Sequence, residues 1–454
     1  MRARVALALA LLAAGCASPH AQTPEASRVA PPPAWRTALP GAAAVDADWW
    51  NAFGDPVLAN LVARALREND DIAIAATRVE EARGQLRLAR AQLSPELGAG
   101  ASGAEGRQLS GLGVPYTALA GQPQLTISYD LDLFGRLRSA SAASRAQALA
   151  SEASRDTIRL AVASSLASGY VTLRALDERL DVARETLAAR AEGLRIARRR
   201  AETGYTSALE LHQAESEYKA AEQLVPQAEL AVSRQENALS LLLGAASGPI
   251  PRGKTLDALR PPPVPDGLPA DLLRRRPDLY QAEQNLVAAD RSLDSARAAL
   301  LPDVALTGSA GLLLSTALAN PIGVFSLGGS ILAPIFDAGR RRAGVDVATA
   351  RRDQAAFTYR RSALQAFREV NDSLAGVLRS REQAVALAGQ RDALAAALSN
   401  ASKRYRAGYS SYLEQLDAQR GLLSAQLALI QARADALNAN VTLVQAFGGG
   451  WPRP

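Results

Sequence analysis

"QLTISYDLDLF", residues 124–134, alternates apolar and polar side chains without a break. Leu125, Ile127, Tyr129, Leu131 and Leu133 take one face; Thr126, Ser128, Asp130 and Asp132 take the other. That period of two belongs to a strand facing two different media. "VFSLGGSILAPIF", residues 324–336, repeats it, with Phe325, Leu327, Ile331 and Ile335 against Ser326, Gly328 and Ser330. Two Gly- and Ala-rich stretches, 96–104 and 303–311, alternate more weakly. Strands of about ten residues with one apolar and one polar face suit a transmembrane β-barrel, lipid outside and water inside. A small amphipathic sheet packed on helices is the other reading of any one of them. Four strands are too few to close a wall, and open edges are not tolerated in lipid. Two chains would supply eight strands around a lumen filled by side chains; three would supply twelve around a water-filled pore.

The strands sit inside a duplication. "ETGYTSALELHQAE" at 202–215 answers "RAGYSSYLEQLDAQ" at 406–419, with Gly204, Tyr205, Ser207, Leu209, Glu210 and Ala214 recurring as Gly408, Tyr409, Ser411, Leu413, Glu414 and Ala418. "LSPELGAGASG" answers "LLPDVALTGSAG", "DLFGRLR" answers "PIFDAGRRR", and "ENALSLLLG" answers "VTLVQAFGG". Order and spacing indicate two copies of one helix–strand–strand–helix unit. The expected first copy spans 48–247, with strands near 96–106 and 122–134. The second spans 268–451, with strands near 303–313 and 323–336. A Pro-rich connector, 248–267, joins them.

Long proline-free stretches follow each strand pair. Residues 139–202 read as one helix of about 95 Å at about 1.5 Å per residue. Leu173, Leu176, Leu180, Ala183 and Leu187 step by threes and fours, as do Leu364, Phe367, Val370, Leu374 and Val377, a coiled-coil seam. Residues 58–93 and 268–301 are helical in pattern up to Pro95 and Pro302. Gly204 and Gly408 stand where a helix end takes positive φ. Ser207 and Ser411 read as N-caps, with Glu210 and Glu414 completing capping boxes. Each stretch is therefore a tight helical hairpin. Leu413 and Asp417, four apart, share a face, so a trimer with that face on its axis has one leucine ring and one carboxylate ring.

The N-terminus reads as an export signal. Arg2 and Arg4 precede ten apolar residues, 5–14, too few to span a bilayer, and the chain's one cysteine, Cys16, follows Ala13, Ala14 and Gly15. This predicts a lipoprotein signal over 1–15, acylation of Cys16 (N-palmitoyl, S-diacylglycerol) and an extended linker over 16–47. A lone cysteine excludes an intrachain disulfide and a Cys-based zinc site. The net charge of +6 comes from 48 arginines and three lysines interleaved with acids, which reads as a salt-bridged helix surface and not a nucleic-acid footprint. His20 and His212 are the only histidines, which leaves little for a metal cluster or a His-based triad, and no cofactor is expected. "GSAG" and "FGGG" lack the strand–loop–helix setting of a phosphate loop.

The chain resembles the TolC-like outer-membrane factors, in particular the NodT-type efflux lipoproteins. The resemblance is carried by "DWWNAFGDPVLANLVARAL", "SYDLDLFGR", "RRRPDLYQAEQNLVAADRSLDSARAALLPDVALTGSAG", "PIFDAGRRRAGVDVATARRDQA", "FREVNDSLA", "RYRAGYSSYLEQLDAQR" and "LVQAFGGGW". It implies an α+β membrane protein: a homotrimer whose twelve-stranded barrel, four strands per protomer, continues into a long α-helical barrel. It further implies an equatorial region near Trp49, 244–267 and Trp451, and a passive, gated duct in the outer membrane that exports drugs or other small toxic solutes. The implied partners are a periplasmic adaptor and an inner-membrane pump of the resistance–nodulation–division type. Carried over, Arg404, Tyr405, Leu413 and Asp417 are gate residues, and Gly204, Ser207, Gly408 and Ser411 are adaptor-docking positions. Arg200 occupies the place of Arg404 in the first copy, but Ala201 replaces the tyrosine. A lipid-anchored periplasmic coiled-coil adaptor or scaffold is the rival reading; it would share the helices and the signal but has no need of two amphipathic strand pairs.

Overall fold

The computed structural model describes residues 25–37, 45–265 and 267–453. The predicted signal at 1–15, Cys16, His20 and much of the 16–47 linker lie outside the described residues.

In chain order the first copy comprises α1 (Pro56–Glu68), α2 (Asp70–Ala91), β1 (Glu96–Leu109), β2 (Pro115–Asp130), α3 (Arg136–Glu202), α4 (Ala208–Glu222) and α5 (Leu224–Leu242). The second comprises α6 (Pro269–Arg275), α7 (Pro277–Ala298), β3 (Asp303–Ser315), β4 (Ile322–Leu332), α8 (Arg340–Arg406) and α9 (Tyr412–Ala446). Both long helices, α3 and α8, are 67 residues. The descending helices differ. Pro226, the third residue of α5, lacks the N–H that would bond back to Glu222, so the first copy breaks at Gln223, whereas α9 runs unbroken for 35 residues.

The expected single helices over 58–93 and 268–301 are each two. Asn69 ends α1 in an extended conformation and its side chain accepts from Ile72 N–H at 3.2 Å, starting α2. In the second copy Pro277 forces Arg276 out of the helical region.

One compact unit holds 77–152 and 281–361. Its sheet is antiparallel in the order β1-β2-β3-β4. Register puts Leu97, Ile127, Gly308 and Leu327 in one row, with Ala99, Leu125, Ala310 and Phe325 beside it. Leu125, Leu306, Phe325, Leu327 and Ile331 on this face are exposed, Phe325 and Leu327 by more than four fifths. The opposite face carries Gly98, Thr126, Ser309 and Ser326 in one row, the two serine hydroxyls 2.9 Å apart. Glu105 and Arg107 interrupt the apolar face opposite Leu119 and Thr117 and bound its band toward the turns.

β2 and β4 end earlier than the alternation predicts, while β1 and β3 run slightly past their expected ends. Leu131, Asp132 and Leu133 lie beyond β2, and Ile335 lies beyond β4. Asp132 takes φ 43° and its carboxylate accepts from Leu137 and Arg138 N–H, both at 2.9 Å. Its polarity marks the start of α3, where a carboxylate meets unpaired N–H groups and the positive helix end.

Among the described residues the second unit holds 30–37, 45–76, 153–265, 267–280 and 362–453. Its core packs Trp49, Trp50, Phe53 and Leu58 against Leu166, Tyr170, Leu173, Leu239, Ile250 and Leu256. Asp55, 2% exposed, ties this core together. Its carboxylate accepts from Val57 N–H (2.9 Å) at the head of α1, from Lys254 N–H (2.8 Å) in the connector, and from the Tyr170 hydroxyl (2.9 Å). Of the predicted seams, Leu173, Ala183, Phe367, Val370, Leu374 and Val377 are buried; Leu364 is half exposed. "FGGG" has a structural purpose. Gly448, Gly449 and Gly450 all have positive φ, and a Cβ on Gly448 would lie 2.0 Å from the Arg275 carbonyl oxygen.

Candidate functional site

Where α3 and α8 end, the two hairpins have the same backbone. Tyr205 N–H bonds to Arg200 O (2.8 Å) and Gly204 N–H to Ala201 O (3.1 Å); Tyr409 and Gly408 repeat this onto Arg404 (2.9 Å) and Tyr405 (3.1 Å). These are paired Schellman closures, with the glycines at φ 75° and 79°. The capping boxes are only partly realised. Ser207 Oγ accepts from Glu210 N–H at 3.3 Å, but Ser411 makes no side-chain cap bond. The glutamates are drawn elsewhere: Glu210 accepts from the Tyr405 hydroxyl, and Glu414 lies 3.5 Å from Arg404. Both are charged or hydroxyl partners, which outcompete a backbone N–H that water can also serve.

Tyr405 is the point of convergence. Its ring lies 5.7 Å from that of Tyr412, the Arg200 guanidinium sits 4.8 Å over its face, and its hydroxyl reaches Glu210. One tyrosine on α8 thus receives side chains from α3, α4 and α9. Burial, with the Glu210 carboxylate next in effect, pushes its hydroxyl up to about 12, so it stays a donor. Beneath it, Leu194, Ala197, Ala214, Tyr412 and Leu416 form a small apolar core. The two copies contribute unlike parts: Arg200, the counterpart of Arg404, stacks on the tyrosine that its own copy lacks.

Leu413 and Asp417 are both exposed and lie about 100° round α9 from buried Tyr412 and Leu416, with Asp417 near the Arg420 charge. The structure therefore joins Arg404 and Tyr405 to partners within the protomer and leaves Leu413 and Asp417 turned outward. Gly204, Ser207, Gly408 and Ser411 are all exposed at the hairpin ends. Sequence reading missed Glu210 as the tyrosine's partner. It also missed a buried ion pair, Arg190–Glu217, inside what reads as a solvated Arg/Glu surface. Among the described residues no group of three metal-ligating side chains gathers, and no helix is long and apolar enough to cross a membrane.

The model for outer membrane efflux proteins matches residues 61–245 and 268–449. The chain belongs to the outer membrane efflux protein family. It is 36% identical over 462 residues to the toluene efflux pump outer membrane protein TtgC of Pseudomonas putida, covering 97% of this chain and 94% of that protein. The cation efflux system protein CusC of Escherichia coli is 33% identical over 411 residues, covering 89% of each. The open-state MtrE outer membrane channel of Neisseria gonorrhoeae superposes with a TM-score of 0.84 at 31% identity, covering 96% of this chain and 98% of that one. This family member is thus an outer-membrane channel component of an efflux system, and the family is one of transporter components. The adaptor-or-scaffold alternative falls with that assignment.

Proposed function

We propose that three copies close a twelve-stranded barrel and form a passive duct that is gated at the helical hairpins. The observation that carries this is the sheet itself. Four strands with β1 and β4 at its edges, and an apolar face that is largely exposed, require both edges to be paired before lipid can surround them. Pairing β4 of one copy with β1 of the next meets that need and repeats by rotation until the ring closes. The hydroxyl-bearing face of Thr126, Ser309 and Ser326 then lines the water-filled side.

In this reading Arg404 and Tyr405 hold the hairpins closed within each protomer, while outward-facing Leu413 and Asp417 meet their copies around the axis. An adaptor engages the exposed hairpin ends at Gly204, Ser207, Gly408 and Ser411, and an inner-membrane pump of the resistance–nodulation–division type supplies the energy. The solutes are small toxic molecules chosen by the pump. TtgC is named for toluene and CusC for cations, so relatives of one architecture serve different cargo. Acylated Cys16 tethers the N-terminus to the membrane.

The test is to isolate the mature protein from outer membranes, determine its oligomeric mass in detergent, and record it in planar bilayers. A trimer with stepwise ion conductance is expected. A monomer with no conductance refutes the duct. Mass spectrometry of the N-terminal peptide, with Cys16→Ala as control, tests the lipid.

A further inference from the structure

A second polar tier lies about ten residues further along the hairpins from Tyr405, on the other side of the small apolar core. Arg190 of α3 and Glu217 of α4 are a buried pair at 3.4 Å, their side chains 6% and 11% exposed. Two side chains of α9 in the other hairpin are tied to this pair: Arg420 donates to Glu217 from Nε at 3.0 Å and from a terminal guanidinium nitrogen as well, and Arg190 donates to the side-chain oxygen of Gln419. The tiers differ in their surroundings. At the hairpin end Arg404 and Glu414 are about half exposed, so water screens them. At the second tier the shared carboxylate is almost dry, where each charge-assisted bond is stronger and a lost partner is felt more.

We propose that Gln419 and Arg420, gripping the buried Arg190–Glu217 pair, form a second latch that holds the two hairpins of a protomer together, so that opening requires release at both tiers. This rests on the gated-duct reading. The Arg190–Glu217 pair belongs to one hairpin and supports it; the bonds from Gln419 and Arg420 reach it from the other hairpin, beside the Tyr412 side chain, which also meets Arg190. Gln419 and Arg420 are therefore the positioning residues for the closed state, and they can be cut without stranding a buried charge.

The experiment compares wild type, Tyr405→Phe, Gln419→Ala/Arg420→Gln and the triple variant as full-length trimers in planar bilayers, with thermal unfolding by circular dichroism in parallel. The double variant is expected to raise resting conductance roughly tenfold, the ratio that losing charge-assisted hydrogen bonds brings. Its unfolding midpoint should stay within a few degrees of wild type, and the triple variant should exceed either parent. Arg420→Lys, which keeps the charge, should return resting conductance toward wild type. If the double variant does not accumulate, Gln419→Ala alone carries the test with a smaller rise. Resting conductance equal to wild type in the double variant, while Tyr405→Phe leaks, overturns the second latch and leaves the duct standing. No conductance from any variant, wild type included, overturns both.

Discussion

Leu125→Arg and Thr126→Arg differ by one position and should differ by a whole medium. Register places Leu125 between Ala99 and Ala310 on the apolar face, and Thr126 between Gly98 and Ser309 on the hydroxyl face. Along β1 that face runs from Leu97 to the charged row at Glu105, about 26 Å at about 3.3 Å per residue. At the roughly 35–45° tilt of outer-membrane strands this spans about 20 Å of height, most of the roughly 25 Å apolar band of such barrels. Leu125 pairs with Ala99, two residues from the middle of that span. An arginine near mid-membrane costs about 2–4 kcal/mol, and in the proposed trimer three copies would carry it at once. Leu125 is 54% exposed within the protomer, so little is lost from packing and the penalty is mostly the charge in lipid. At Thr126 the same arginine faces water and should cost under about 1 kcal/mol. The assay is folding into lipid vesicles across a urea series, read by heat-modifiable gel mobility, together with outer-membrane yield. Leu125→Arg should fail or shift strongly, and Thr126→Arg should fold and alter conductance. Equal behaviour of the two would refute the assignment of faces.

Four further outcomes follow from the packing. Asp55→Ala removes the shared acceptor for Val57 N–H, Lys254 N–H and the Tyr170 hydroxyl, and should cost about 3 kcal/mol in denaturant unfolding. Gly448→Ala meets both the positive φ and the Arg275 carbonyl, and should lower stability by about 2 kcal/mol or more, whereas Gly344→Ala, with open space around it, should not. Burial, followed by the nearby Asp257 charge, holds the Glu178 carboxyl above its ordinary value. The folded chain therefore keeps that proton more tightly than the unfolded one. Lowering pH through the window above about 4.5 should then favour folding at this site, and Glu178→Gln should flatten that part of the stability profile. Tyr405→Phe removes the bond to Glu210 but keeps the ring beneath Arg200, so resting leak should rise while the hairpin remains folded.

The elements governed by local periodicity were readable from the chain. Strand alternation, the two hairpin glycines and the Phe367–Val377 seam all follow from neighbours a few residues apart. Features set by distant partners were hidden. Glu210 looks like a capping residue until Tyr405, 195 positions on, supplies a hydroxyl. Glu217 and Arg190 look solvated because the helices around them are full of exposed Arg and Glu, and only the packing of α9 encloses them. Asp132 fits the alternation of β2 yet is claimed by the N-terminus of α3, since a helix start stabilises a carboxylate more than one further rung of strand does. Leu364 continues the heptad arithmetic but remains half exposed within the protomer.

The equal count of α3 and α8, 67 residues each, makes length itself a heritable trait of the pair. Deleting a single residue from one of them would turn everything beyond it by about 100° and draw it back by about 1.5 Å. Tyr405 would then point past Glu210, and Arg420 past Glu217. Change is tolerable only when both rods gain or lose together, and in steps close to a whole heptad. Such a chain should drift freely in composition over evolutionary time while its two rulers stay matched.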